Sequence, residues 1–122
     1  MYDLIIIGAS AAGASASVYA ARRALNFVVV SKDVGGEVAT SGEIENWPGV
    51  VHTTGYELAE DFKKQMEANK VKMLVPFEAT KVEPKGNYYI VYIKGGGKEE
   101  QLETKTVLVT SGIHPRHLGV PG

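Results

Sequence analysis

Residues 4–13 read LIIIGASAAG, an unbroken apolar run followed by a turn that Gly8 and Gly13 frame. The run predicts a buried strand, because its apolar residues do not alternate with polar ones. The small residues after the turn predict the start of a helix. The first backbone N–H groups of a helix are unpaired and its dipole favours negative charge, so this strand, turn and helix predict a phosphate site.

The turn is an incomplete form of the G-x-G-x-x-G pattern that binds the pyrophosphate of dinucleotides. Its first and last glycines are present, but Ser10 stands at the middle position, where its hydroxyl could hydrogen-bond a phosphate. In the full pattern an acid about 20 residues further on holds a ribose hydroxyl. Ser31 stands there instead, followed by Lys32 and Asp33. Two interpretations stay open: Asp33 reaches back to the ribose, or the ribose is held in another way.

The rest of the chain predicts a Rossmann-like, three-layer α/β fold. Helical patterns cover residues 12–24 and 56–69, and strand patterns cover residues 3–7, 27–30 and 71–75. A strand, a helix and a second strand within about 30 residues form a βαβ unit. Short strands over residues 77–82, 88–93 and 101–104 indicate an antiparallel β-meander, and residues 106–110 a last buried strand. We therefore expect a parallel sheet with helices on one side and the meander on the other.

Residues 31–51 form a long segment with little regular pattern, which contains a double glycine at 35–36 and the sequence NWPG at 46–49. A loop of this length is usually functional or disordered. A tryptophan between asparagine and proline favours an ordered loop. Trp47 either shields a cofactor or anchors the loop by packing, since buried aromatic side chains do both.

Composition excludes several classes of function. The net charge of −1 gives no basic surface for nucleic acid, and no apolar stretch is long enough to span a membrane. The absence of cysteine excludes a disulfide framework and a thiolate site, and it fits a cytoplasmic, reducing compartment. His52, His114 and His117 have no clustered ligands beside them in the sequence, so they predict exposed histidines and no metal site. No catalytic residue is predicted.

Four stretches occur in an order and spacing that resemble a known family: YDLIIIG at 2–8, GGE at 35–37, EIENWPG at 43–49 and TSG at 110–112. With them the chain is similar to the N-terminal part of a bacterial-type thioredoxin reductase, a flavoprotein of the pyridine nucleotide-disulfide oxidoreductase group. The resemblance covers essentially the whole chain, and IENWPG after a double glycine is its most specific element. It implies an FAD-binding domain over residues 1–122.

The resemblance implies FAD as the cofactor and assigns roles by position. The glycine turn would cradle the pyrophosphate, Asn46 would hydrogen-bond the flavin side, and Ala79 would meet the adenine through its backbone. Glu37 stands where the family commonly has glutamine, so its charge should weaken binding unless it is paired or faces water. The implied cofactor-binding residues are Gly8, Ser10, Ala11, Ala12, Gly13, Gly35, Gly36, Glu37, Val38, Asn46, Ala79, Thr110, Ser111 and Gly112.

The resemblance also implies that these residues are part of a larger enzyme. In this family a later, returning segment completes the FAD domain, and an NADPH domain and a Cys-x-x-Cys pair carry the electrons. None of these lies within residues 1–122, so the chain is expected to bind FAD but not to reduce disulfides by itself.

Two alternatives stay open. An exposed sheet edge would suit a structural or interaction module completed by self-association or by a second chain. The turn would also suit a small NAD(P)-binding Rossmann protein. The missing strand-end acid disfavours NAD, and no arginine directly follows the second strand to favour NADP.

Overall fold

The computed structural model describes all 122 residues, which form a six-stranded sheet, a two-stranded antiparallel sheet and three helices. The strands are β1 (Tyr2–Ile7), β2 (Phe27–Val30), β3 (Glu43–Ile44), β4 (Thr53–Thr54), β5 (Met73–Leu74), β6 (Glu78–Pro84), β7 (Tyr89–Gly95) and β8 (Lys98–Val109). The helices are α1 (Ala11–Arg22), α2 (Gly36–Thr40) and α3 (Gly55–Ala68).

The large sheet has the order β5-β2-β1-β8-β7-β6. Strands β5, β2, β1 and the C-terminal half of β8 are parallel to one another. The N-terminal half of β8 forms the antiparallel meander with β7 and β6. One core cluster joins the helices to one face of the parallel strands, and it includes Ile6, Val29, Leu58, Phe62 and Met66. A second cluster joins the opposite face to the meander, and it contains Ile5, Val28, Val30, Val91 and Ile93. The predicted three-layer α/β fold is confirmed.

The two central strands are buried as their apolar runs predict. Ile5 and Ile6 in β1 are fully buried, and β2 is buried along its whole length. Asp3 fixes the start of this pair, because its Oδ2 accepts the Asn26 N–H at 3.0 Å and its Oδ1 lies 3.0 Å from Lys105 Nζ. The hydrogen bond from Asn26, followed by that from Lys105, lowers the pKa of the Asp3 carboxyl. This one carboxylate therefore joins β1 to the entry of β2 and to β8.

The prediction of separate strands over residues 101–104 and 106–110 is wrong. The chain forms one long strand, β8, which pairs with β7 up to Thr104 and with β1 from Thr104 onward. Lys105 does not interrupt it, because its side chain is exposed and reaches Asp3. The last part of β8 is also less buried than predicted. Val109 is 63% exposed, because no strand pairs with the outer edge of this half of β8.

The meander strand β7 is covered on one face only, although both of its faces carry apolar residues. Val91 and Ile93 are buried against the parallel strands, and Tyr88, Ile90 and Tyr92 on the other face are half-buried. Aromatic and β-branched residues suit a pleated, half-buried surface, so strand propensity accounts for these tyrosines without a covering layer.

Helix α3 begins at a capped N-terminus and buries the face that includes Leu58, Phe62 and Met66. Thr54 is its N-cap, and Thr54 Oγ1 accepts the Glu57 N–H at 3.2 Å. Gln65 is exposed, and Asn69 is half-buried and is the C-cap residue of the helix.

Alanine at Thr54 is expected to lower the free energy of unfolding by about 1 kcal/mol, because one N–H of the first turn loses its partner. Urea unfolding of the T54A and T54S variants measures this, since serine keeps the capping hydroxyl. A T54A protein as stable as T54S would contradict the assigned cap.

The long segment over residues 31–51 is ordered and contains α2 and β3. Gly55 fixes it against α3, because a Cβ at Gly55 would lie 2.1 Å from the Val38 carbonyl oxygen. Trp47 packs on Phe62 with a ring-centroid distance of 5.4 Å and an interplanar angle of 57°. Of the two roles left open for Trp47, the structure therefore favours the anchor.

No helix has both the length and the apolar character that a membrane crossing requires.

Candidate cofactor site

A cleft of about 550 Å³ lies at the carboxyl ends of β1, β2 and β8. This volume is within the range of about 300–1,000 Å³ that is usual for small-molecule sites. Its walls come from four places in the chain: the turn after β1, the segment after β2 with the start of α2, the start of β6, and the segment after β8. The carboxyl ends of parallel strands are where open α/β sheets bind ligands.

The glycine turn at the base of the cleft is packed too closely for side chains. Gly8 has a positive φ of 107°, and a Cβ there would lie 2.3 Å from the Thr110 carbonyl oxygen. A Cβ at Gly13 would lie 2.0 Å from the Gly8 carbonyl oxygen. Thr110 holds the end of β8 to this turn, because its N–H and its hydroxyl both donate to the Ile7 carbonyl, at 2.8 and 2.7 Å. The turn, the helix start and β8 thus form one close-packed unit.

The N-terminus of α1 has no side-chain cap, although Ser10 stands at the N-cap position. The Ser10 hydroxyl instead donates to the Gly35 carbonyl at 2.6 Å, and the Gly35 N–H donates to the Ala9 carbonyl at 2.8 Å. Ser10 thus joins the glycine turn to the double-glycine loop; in this structure its hydroxyl is directed to that loop, not to a phosphate position. The first N–H groups of α1 are left for a ligand, and the helix dipole favours an anionic one.

The segment after β2 lines the cleft with Ser31, Lys32 and Asp33. Asp33 Oδ1 accepts the Gly36 N–H at 3.1 Å, and the Ser31 hydroxyl donates to the Asp33 carbonyl at 2.6 Å. Lys32 Nζ lies 3.2 Å from Glu78 Oε1 at the start of β6. Asp33 therefore folds toward the double-glycine loop, where it fixes the start of α2. No sequence pattern predicted the Lys32–Glu78 pair, since its members lie far apart in the chain.

Glu37 and His114 meet across the opening of the cleft. His114 Nδ1 lies 2.7 Å from Glu37 Oε1, and both residues line the cleft. His114 is exposed as predicted, but its contact with Glu37 was not predicted. Sequence reasoning missed this contact because the two residues are 77 positions apart. The same contact supplies a partner for the Glu37 charge that the sequence marked as unfavourable.

The structure brings nine of the fourteen predicted cofactor-binding residues into the lining of one cleft. These nine are Gly8, Ser10, Gly36, Glu37, Val38, Ala79, Thr110, Ser111 and Gly112, and to them Gly13 adds the close packing beneath the turn. Ala11 and Ala12 lie in the first turn of α1, and Gly35 belongs to the double-glycine loop but does not line the cleft. Asn46 is exposed and does not line the cleft.

Two charged clusters lie outside the cleft. Glu43, Glu45 and His52 have potential ligand atoms within 4.8 Å of one another, and all three residues are exposed. His52 therefore has two carboxylates as neighbours, which its surroundings in the sequence did not predict. In the meander, hydrogen bonds from Lys81 and then Lys85 lower the pKa of Glu83 to about 2. Both clusters are on surfaces that the cleft does not reach.

Comparisons with known proteins agree with this architecture. The pattern of the family described as pyridine nucleotide-disulphide oxidoreductase matches residues 2–122. The F subunit of the alkyl hydroperoxide reductase from Staphylococcus aureus is 31% identical over 121 residues, which are 99% of this chain and 23% of that protein.

Solved structures give the same result. The thioredoxin reductase of Lactococcus lactis superposes with a TM-score of 0.89 at 29% identity, over 100% of this chain and 39% of that one. The thioredoxin reductase of Streptococcus pyogenes has a TM-score of 0.87 at 36% identity, with the same coverage of 100% and 39%. The chain thus spans less than half the length of these relatives. On the match over residues 2–122, the chain belongs to the pyridine nucleotide-disulphide oxidoreductase family.

Proposed function

We propose that residues 1–122 form an FAD-binding domain of a thioredoxin-reductase-like flavin oxidoreductase. The observation that carries this proposal is the turn between β1 and α1. Gly8 and Gly13 have no room for a Cβ, and the uncapped start of α1 lies beside the cleft. Close backbone approach at a helix N-terminus suits a pyrophosphate, which needs N–H donors and a positive dipole.

The cleft residues suit FAD in their chemical character. Backbone N–H groups at the start of α1 would bind the pyrophosphate, and Ala79 would meet the adenine. Thr110, Ser111 and Gly112 would form one wall of the FAD site, and Gly36 and Val38 would form the opposite wall. When bound, FAD supplies the electron-transfer chemistry, and the chain's own residues bind it, orient it and exclude water. We keep Asn46 as a proposed contact to the flavin side, although in this structure it does not line the cleft.

Disulfide reduction lies outside the proposed role of these residues. They contain no cysteine, so the dithiol of a disulfide reductase is not among them. We therefore propose that residues 1–122 alone bind FAD without reducing disulfides. A cytoplasmic location remains part of this proposal.

FAD binding is tested on the purified protein by its visible absorbance spectrum and by titration with FAD, NAD and NADP. We expect a flavin spectrum, or saturable quenching of flavin fluorescence on adding FAD, with much weaker binding of both nicotinamide dinucleotides. Tighter binding of NAD or NADP than of FAD would favour the small Rossmann protein instead. A colourless protein that ignores FAD would contradict the proposal.

The outer edge of β8 favours a second candidate function, an interaction module completed by self-association or by a second chain. From Lys105 onward β8 pairs only with β1, and Leu108 and Val109 on this half are exposed. Unpaired strand edges are templates for pairing with another chain. Light scattering after size exclusion, at two protein concentrations, tests self-association. A monomeric protein that binds FAD would contradict self-association and would support only the first proposal.

A further inference from the structure

The contact between Glu37 and His114 joins side chains from two walls of the cleft, the start of α2 and the segment after β8. Glu37 lies in the first turn of α2, and His114 follows β8. Their side chains are 47% and 63% exposed, so solvent reaches both, and His114 Nδ1 lies 2.7 Å from Glu37 Oε1. The second Glu37 oxygen, Oε2, lies 3.4 Å from the Thr40 hydroxyl. His114 is therefore the basic side chain that contacts Glu37.

The charges that line the cleft make this contact important for an anionic ligand. The acids are Asp33, Glu37 and Glu78, and the basic residues are Lys32 and His114. Lys32 is engaged by Glu78 at 3.2 Å, and Asp33 accepts the Gly36 N–H. Without His114, the Glu37 carboxylate would lose this partner and would add an unpaired negative charge to the lining of the cleft. Like charges repel, and more strongly where a ligand displaces water.

We propose that His114 is a positioning residue for the cofactor: it holds the Glu37 carboxylate at the wall of the cleft, so that the cleft accepts an anionic dinucleotide. The inference rests on the proposed FAD-binding function. A neutral side chain at position 37 would be compatible with an anionic ligand without any partner. Here Glu37 is compatible with such a ligand because His114 is its partner. Glu37 and His114 therefore act on affinity together, and the effect of either one depends on the other.

A double-mutant cycle on FAD affinity tests this coupling. We expect H114A to weaken FAD binding about two- to fivefold, the range that coupling of an exposed charge pair supports. In the E37Q background, where no carboxylate needs a partner, H114A should have no further effect. H114Q should retain part of the affinity that H114A loses, because glutamine keeps a hydrogen-bond donor for Glu37, and H114K should restore affinity. The matched controls are E67Q and H117A, which make the same charge changes at exposed residues away from the cleft.

A second measurement tests the contact without FAD. Trypsin cleaves after Arg116, two residues beyond His114, and we expect E37A to speed this cleavage relative to E67A. Equal cleavage rates, additive effects of H114A and E37Q, or full FAD affinity in H114A would overturn the inference while leaving FAD binding intact. A wild-type protein that binds no FAD would overturn the proposed function, and this inference with it.

Discussion

Alanine at Gly13 is expected to lower FAD affinity at least about tenfold and to destabilise the fold by about 1–3 kcal/mol, the usual cost of overpacking. The added Cβ would lie 2.0 Å from the Gly8 carbonyl oxygen and 2.8 Å from the Thr110 hydroxyl. The first of these is a backbone atom, which cannot rotate away as a side chain does. Helix α1 must then move away from β1, and the N–H groups at its start move with it.

The matched control for this substitution is G42A. Gly42 lies between α2 and β3, and a Cβ there would have no atom within 4 Å. We expect G42A to bind FAD as the wild type does, so any loss in G13A reports the turn and not a general effect of removing a glycine. FAD titration at a temperature where circular dichroism shows both variants folded separates affinity from stability. A folded G13A protein with wild-type affinity would contradict the assigned pyrophosphate position.

The sequence was sufficient for the elements that have strong local patterns. The apolar run of β1, the four buried residues of β2 and the apolar stripe of α3 each predict one structure, because burial on two faces or on one helical face leaves a clear period. Strand β2 has its predicted bounds, whereas the ends of β1 and α3 differ from the prediction by one residue. Helix α1 ends at Arg22, two residues before its predicted end. Ala24 adopts a positive φ of 53° there, which closes the helix.

Elements that depend on distant contacts could not be predicted in the same way. Helix α2 has five residues and no buried ones, and its position depends on Gly35 and Gly55, which fit closely against Ala59 and the Val38 carbonyl. The continuity of β8 depends on β1, which lies about a hundred residues away in the chain. Short or edge elements of this kind form where tertiary packing overrides local propensity.

The same distinction between local patterns and distant contacts applies to the candidate site. The glycine turn could be predicted because its strand, turn and helix are adjacent in sequence, and so could its relation to an anionic ligand. The Ser10 hydroxyl, the Lys32–Glu78 pair and the Glu37–His114 contact join segments that are 25 to 77 residues apart. No local pattern carries such contacts, so the charge balance of the cleft emerges only from the fold.

Alanine at Phe62 is expected to lower the free energy of unfolding by about 3–5 kcal/mol, the usual cost of removing a buried phenylalanine ring. Phe62 is 7% exposed and belongs to the core cluster between α3 and the sheet. Natural domains are stable by only about 5–15 kcal/mol, so this loss is a large share of the total. Urea unfolding of F62A and F62L measures it, because leucine keeps most of the apolar volume and should cost clearly less.

The same variant tests whether Trp47 anchors the long loop. Trp47 is the only tryptophan in the chain, and its ring packs on Phe62 at a centroid distance of 5.4 Å. Removing the Phe62 ring should expose the indole to water, so the fluorescence emission of folded F62A should shift to longer wavelength, and F62L should shift less. Because Trp47 does not line the cleft, this shift should appear in protein without FAD. An unchanged emission in folded F62A would mean that contacts other than the Phe62 ring hold Trp47 and the loop.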